Sequence, residues 1–234
     1  MIGTALRRGL VAGVLAGLAA GLLALAIGEP PVEAAIRLEE AATLAGPPEP
    51  PGFEVTRSAQ RVGLVAGMVL AGLAVGALFG VAAAWAVGRV EGTGWQRSLK
   101  LGATAVGALV LLPALKYPPN PPAVGNPATI SQRTTLYLGL ALVGLLLALA
   151  AWAGARQLAT SRLPAPLRQV LVGVGVVVVA AVMLVVLPSV EEEVSVPAEL
   201  LWSFRLASIA TQATLYGGTA LVFGLLVARD QRGA

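Results

Sequence analysis

Five polar side chains interrupt an otherwise apolar stretch near the end of the chain. They are Arg205, Ser208, Gln212, Tyr216 and Thr219, spaced 3, 4, 4 and 3 residues apart. On an α-helix that spacing sets them on one face. Polar groups inside a membrane span turn toward the bundle interior or a watery cavity, because lipid offers them no partner. The face therefore reads as the lining of a passage or as interhelical hydrogen bonding, the latter worth under about 1 kcal/mol per bond. Arg205, at the helix end, can also reach into the headgroup layer, and Trp202 marks the interface beside it.

A second segment, residues 112–134, reads LPALKYPPNPPAVGNPATISQRT. Five prolines between Pro118 and Pro127 forbid a helix and leave a stiff, extended chain with free carbonyls. Asn120 and Asn126 add side-chain carbonyls. Lys116 and Tyr117 stand where an interface anchor would lie. Thr129 with Gln132 has capping-box spacing and predicts a helix start there. Such a stretch serves either as a connector or as a rigid lid. Lys116, Tyr117, Asn120, Arg205 and Gln212 are the expected residues of a transport mouth. Glu29, Glu33, Glu40 and Glu199 are carboxylates that could attract a cation or pair with the mouth's basic groups. Pairing of Lys116 and Arg205 with Glu29, Glu33 or Glu199 would hold the mouth closed.

Other chemistry is narrowed by what is missing. The 234 residues include no cysteine and no histidine, so there is no disulfide, thiolate site or imidazole ligand. A metal bound by this chain alone would use oxygen ligands; no particular set of ligands stands out. Nucleophilic catalysis usually needs a base, most often histidine, and neither Lys100 nor Lys116 has a suggestive serine partner. No phosphate-binding G-x-x-x-x-G-K-[ST] loop is present. The chain does not read as an enzyme, and no firmly bound cofactor is expected.

The elements that must position these residues are membrane helices. Hydrophobic residues make up 57% and charged residues 12%, with a mean hydropathy of +0.83; an ordinary soluble domain is about a quarter charged. A bilayer core needs roughly 20 apolar residues as helix. Six runs qualify: 9–28, 62–88, 99–115, 135–154, 169–187 and 205–228. The third is short and the sixth the least apolar. Strands of a barrel would instead alternate apolar and polar. The fold class is thus all-α, a polytopic integral membrane protein of about six spans forming one membrane domain. The first run is longer than the roughly 7–15 residues of a signal-peptide core, so it is expected to be a span.

Charge gives the orientation. One side carries Arg7, Arg8, Arg89, Arg97, Lys100, Arg156, Arg162, Arg168, Arg229 and Arg232 against two acids, Glu91 and Asp230. The other carries six basic and ten acidic groups. Excess lysine and arginine marks the cytoplasmic side, so both termini are expected inside a cell inner (cytoplasmic) membrane. The high isoelectric point belongs to a face suited to anionic lipid. It does not indicate nucleic acid, since no basic stripe is interleaved with aromatics.

Two exofacial loops follow, at 29–61 and 116–134. The first opens with PPVEAAIRLEEAA, a short amphipathic helix in which Glu33 and Arg37 can pair four residues apart. GPPEPPGFEVTRSAQR then reads as a Pro-rich linker. Glycines recur every four residues at 9, 13, 17 and 21, at 63 and 67, and at 72, 76 and 80. Small residues so spaced let helices approach closely, either within one chain or between copies in a homo-oligomer.

Four blocks resemble the CbtA-type cobalt transporter subunit family over nearly the whole length. They are EPPVEAAIRLEEA from Glu29, VTRSAQR from Val55, LPALKYPPNPPAVGNPATISQRT from Leu112 and LLWSFRLASIATQ from Leu200. The third is long and compositionally unusual, hence specific. The resemblance implies a membrane component of cobalt import serving cobalamin synthesis, with cobalt(II) as the transported ion. It also implies a small single-span partner of the CbtB type with a histidine-bearing tail. Family members often carry a histidine-rich stretch in the first exofacial loop; here the position reads TLAGPPEPPGFE. Co²⁺ favours imidazole over carboxylate, so capture would fall to a partner. The alternative is a non-conducting membrane scaffold or accessory protein, consistent with the absence of any acid within a span.

Overall fold

The computed structural model describes residues 2–44, 55–122, 124–190 and 196–232. Of the linker expected over 46–61, residues 46–54, with Glu49 and Glu54, lie outside the described residues, as do Glu191 to Glu193; its last five residues, 57–61, are helical, since no proline follows Pro51 to stop a helix from starting behind Thr56. Helix α1 (Ile2–Leu23) continues through a π-helical turn, Ala24–Gly28, into α2 (Glu29–Leu44). Next come α3 (Arg57–Ala86) and α4 (Gly94–Ala105), then a second π turn, Val106–Leu111, leading into α5 (Leu112–Lys116). A 3₁₀ turn, Pro127–Thr129, opens α6 (Ile130–Ala159), followed by α7 (Ala165–Val186) and α8 (Ala198–Arg232). No strand occurs among the described residues. Among the described residues six helices are long and apolar enough to cross a membrane: Ile2–Ala41, Arg57–Ala86, Gly94–Lys116, Pro127–Ala159, Ala165–Val186 and Ala198–Asp230.

Most of these helices outrun the apolar stretches that reveal them. The apolar run measures the hydrocarbon layer, whereas the helix continues for as long as its backbone bonds can form. The first helix therefore includes Arg7 and Arg8 and passes unbroken into the amphipathic segment. The third span begins at Gly94 behind a reciprocal cap. The Thr93 N–H donates to Gln96 Oε1 at 2.9 Å, and the Gln96 N–H donates to Thr93 Oγ1 at 3.2 Å. This is the capping-box chemistry expected at Thr129, found instead at Thr93. Thr129 itself has helical backbone angles and makes no side-chain cap bond; the 3₁₀ turn enters α6 in its place.

Both π turns end two residues before a proline, Pro30 in one case and Pro113 in the other. Proline supplies no N–H, and its ring collides with the carbonyl four residues back. Widening the preceding turn relieves that collision. The Glu29 N–H bonds to the Ala24 carbonyl and the Leu112 N–H to the Gly107 carbonyl, each five residues back. Leu109, four residues before Pro113, has its carbonyl taken by the Tyr137 hydroxyl of α6 at 3.1 Å.

The chain forms two compact units. In the first (residues 1–103, 119–126 and 193–234), α1 packs antiparallel on α3 through glycine. A side-chain carbon on Gly13 would run into the Gly72 carbonyl, and one on Gly9 or Gly80 would strike the facing backbone. The glycine contact is therefore within the chain. It involves Gly9, Gly13, Gly17 and Gly21 opposite Gly72, Gly76, Gly80 and the Val65–Val69 stretch, whereas Gly63 and Gly67 face open space. Helix α8 completes this unit. Phe223 meets Phe79 edge-on at 5.3 Å, and buried Ser98 donates to the Ala220 carbonyl at 2.6 Å. In the second unit (residues 104–118 and 127–192), α6 packs on α5, the π turn and α7 around Leu112, Tyr117 and Leu140. Helix α7 buries no residue, and valines 170, 174, 177 and 185 are exposed, as suits a surface facing lipid.

Candidate functional site

Arg205 lies in the second turn of α8, where the polar face begins. It reaches into the Pro-rich segment. Its Nε donates to the Pro119 carbonyl at 3.3 Å, and its Nη2 donates to Asn120 Oδ1 at 3.1 Å. All three residues belong to the first unit. The local sequence explains the match. A proline run cannot fold its carbonyls into a helix, and a planar guanidinium offers several donors in fixed directions. Asn120, between proline pairs, presents a side-chain carbonyl beside the main-chain one. The segment then turns with the Val124 N–H on the Pro121 carbonyl at 3.2 Å, and Gly125 takes a φ of 105° that favours glycine. Further along the same face of α8, Gln212 is half-buried and Thr219 is fully buried, its hydroxyl on the Leu215 carbonyl at 2.7 Å.

Lys116 and Tyr117 belong to the second unit. The Lys116 Nζ donates to Ser189 Oγ at 3.2 Å, and the Tyr117 hydroxyl donates to the Pro188 carbonyl at 2.8 Å. Tyr117 is buried against Leu112 and Leu140 instead of lying at the surface as an anchor. Burial pushes its phenol up from its ordinary value, so it remains a donor at any physiological pH. Arg133, which the sequence did not single out, donates its Nη2 to the Pro118 carbonyl at 2.7 Å. Its signal was a cation just inside the helix that follows the prolines.

The expected carboxylates divide by environment. Glu29, at the junction of the π turn with α2, accepts from Arg57 and Arg61 of α3, both at 2.8 Å. Glu33 accepts from Arg61 at 3.2 Å and from Arg37 at 3.5 Å. This network ties α2 to the start of α3, where the Thr56 hydroxyl caps the Ala59 N–H at 3.4 Å. Two of the acids expected at the mouth are thus engaged by arginines of the next helix. Glu40 is exposed, and exposed Glu199 lies in the first turn of α8, where it complements the helix dipole. No group of three or more acids able to hold a metal occurs among the described residues.

The arginine-clasped, proline-rich segment falls within the longest of the motifs that carry the family resemblance. A family model described as "Probable cobalt transporter subunit (CbtA)" matches residues 2–228. The chain belongs to the CbtA family. That assignment, with six membrane-crossing helices, makes it a multi-pass membrane protein of a cobalt transporter subunit family. Searches of curated proteins and of solved structures find no match.

Proposed function

We propose that this chain is the membrane subunit of a cobalt importer serving cobalamin synthesis, with a small partner subunit supplying imidazole ligands. Both termini lie in the cytoplasm of a cell inner membrane, and the Pro-rich segment faces outward. The observation that carries the reading is the clasp of Arg205 on Pro119 and Asn120. A cation from α8 fixes the backbone of a stiff, carbonyl-rich segment, which gives an extramembranous loop the rigidity of a mouth. The partner follows from ligand chemistry. A chain without histidine or cysteine offers Co²⁺ neither imidazole nor thiolate, so first capture belongs to a protein that carries imidazole.

The test is uptake of radioactive cobalt at limiting concentration by cells carrying this chain, a neighbouring single-span reading frame with a histidine-bearing tail, or both. The reading expects full uptake only with both. Equal uptake with this chain alone would remove the partner, and none under any condition would favour a non-conducting scaffold.

A further inference from the structure

A cavity of about 370 Å³ opens in the first unit where α1 and α4 begin and α3 ends. Apolar side chains form much of its lining, among them Ala5, Ala83, Val87 and Phe223; the guanidinium-bearing Arg8 and Arg97 line it as well. Arg8 pairs with Asp230. Arg97 donates its Nη1 to a neutral acceptor, the Gly92 carbonyl, at 2.5 Å; among the described residues no ion pair takes up its charge. Of the two guanidinium groups only that of Arg8 has a carboxylate partner, and that carboxylate is more than half exposed, at 57%. The cavity combines a net positive charge with an apolar wall, at the end of the unit where α1 and α4 begin and α3 ends, with Arg7, Arg89 and Lys100 against the single further acid Glu91 in those segments.

Neither half of this lining suits a small hydrophilic ion alone. Inorganic phosphate would leave Ala83, Val87 and Phe223 without apolar contact, and a neutral lipid would leave Arg97 uncompensated. An amphiphile with a phosphate head and hydrocarbon behind it satisfies both. Arginine's planar fork matches phosphate oxygens two at a time, and basic pockets between membrane helices suit anionic headgroups. We propose that this cavity binds an anionic phospholipid, with Arg97 and Arg8 holding its phosphate and Val87 and Phe223 against its upper acyl chains. The lipid phosphate competes with Asp230 for Arg8, so binding loosens the α1–α8 ion pair while Arg97 of α4 is drawn to the same ligand.

Native mass spectrometry of the full chain in neutral detergent tests this, with phosphatidylglycerol and phosphatidylcholine of identical acyl chains as probes. Phosphatidylglycerol should bind at one saturable site, and phosphatidylcholine should bind at least about fivefold more weakly. Arg97→Gln should weaken phosphatidylglycerol binding by a similar factor. Val87→Trp, which fills the cavity and keeps both arginines, should do the same, while Arg162→Gln, outside it, should not. Millimolar inorganic phosphate should fail to displace the lipid. Equal binding of the two lipids, wild-type affinity in both Arg97→Gln and Val87→Trp, or displacement by inorganic phosphate would each overturn the proposal.

Discussion

The Tyr137 hydroxyl of α6 donates to the Leu109 carbonyl at 3.1 Å, filling the position that Pro113 vacates in the helix ladder. With no water in the hydrocarbon layer, a carbonyl freed by proline needs another partner, and here a neighbouring helix supplies it. Tyr137→Phe should therefore lower stability by about 1 kcal/mol, within the range of interhelical bonds in membranes. In a Pro113→Ala background the restored N–H can serve Leu109, and the cost of Tyr137→Phe should shrink. Thermal unfolding of the four proteins in detergent measures the coupling; equal costs in both backgrounds would break the link.

The seam of α1 and α3 leaves no room for side chains. Gly13→Leu and Gly76→Leu should each prevent accumulation of folded protein, because the new side chain meets backbone that cannot yield. Overpacking typically costs about 1–3 kcal/mol, and a backbone clash lies at the upper end. Gly67→Leu, facing open space, should accumulate and elute from a sizing column as the parent does. Loss of all three variants alike would show that the two glycine runs share one face.

Glu29 is the hub of the α2–α3 network. Its side chain is 13% exposed and it holds two arginines. Glu29→Gln should cost more than the roughly 1 kcal/mol of an exposed pair and less than the roughly 3 kcal/mol of a buried one. Glu33→Gln, whose carboxylate is 44% exposed, should cost less. Melting temperatures in detergent decide the order, and a larger loss from Glu33→Gln would overturn it.

The proposed topology, with both termini inside, rests on the excess of basic residues on their side. Because the chain has no cysteine, single introduced cysteines report cleanly. An impermeant maleimide applied to intact cells should label Val55→Cys and Ser189→Cys but not Thr93→Cys or Ser161→Cys. Labelling at Thr93→Cys would reverse the orientation.

The parts of the fold legible in the sequence are those written in local pattern. Six apolar runs mark the spans, and a four-residue glycine period marks the α1–α3 seam. The five-residue step from Gly67 to Gly72 also carried information that the period alone did not convey. It turns the helix face by about 140° and points the earlier glycines elsewhere. The π turns went unread because they are responses to Pro30 and Pro113, visible only when the carbonyl four residues back is followed. At the candidate site the spacing of Arg205, Gln212 and Thr219 identified the face, but the clasp joins residues 85 positions apart, and no local signal specifies such a pairing. The Glu29 network escaped for the same reason, its arginines lying 28 and 32 positions away.

The clasp of Arg205 on Pro119 and Asn120 is proposed to belong to the transport path. Its most direct test is cobalt uptake at limiting concentration by cells carrying Arg205→Ala or Asn120→Ala, with membrane protein level measured in parallel. Both variants should fall to background uptake while remaining in the membrane at the parental level. Arg205→Lys should lose most of the uptake, because a point charge cannot bond both acceptors as the guanidinium fork does. Ser203→Ala, on the exposed side of α8 with its hydroxyl on the Leu200 carbonyl, should transport normally. Full uptake by both Arg205→Ala and Asn120→Ala would contradict the account and reduce the clasp to a structural connector.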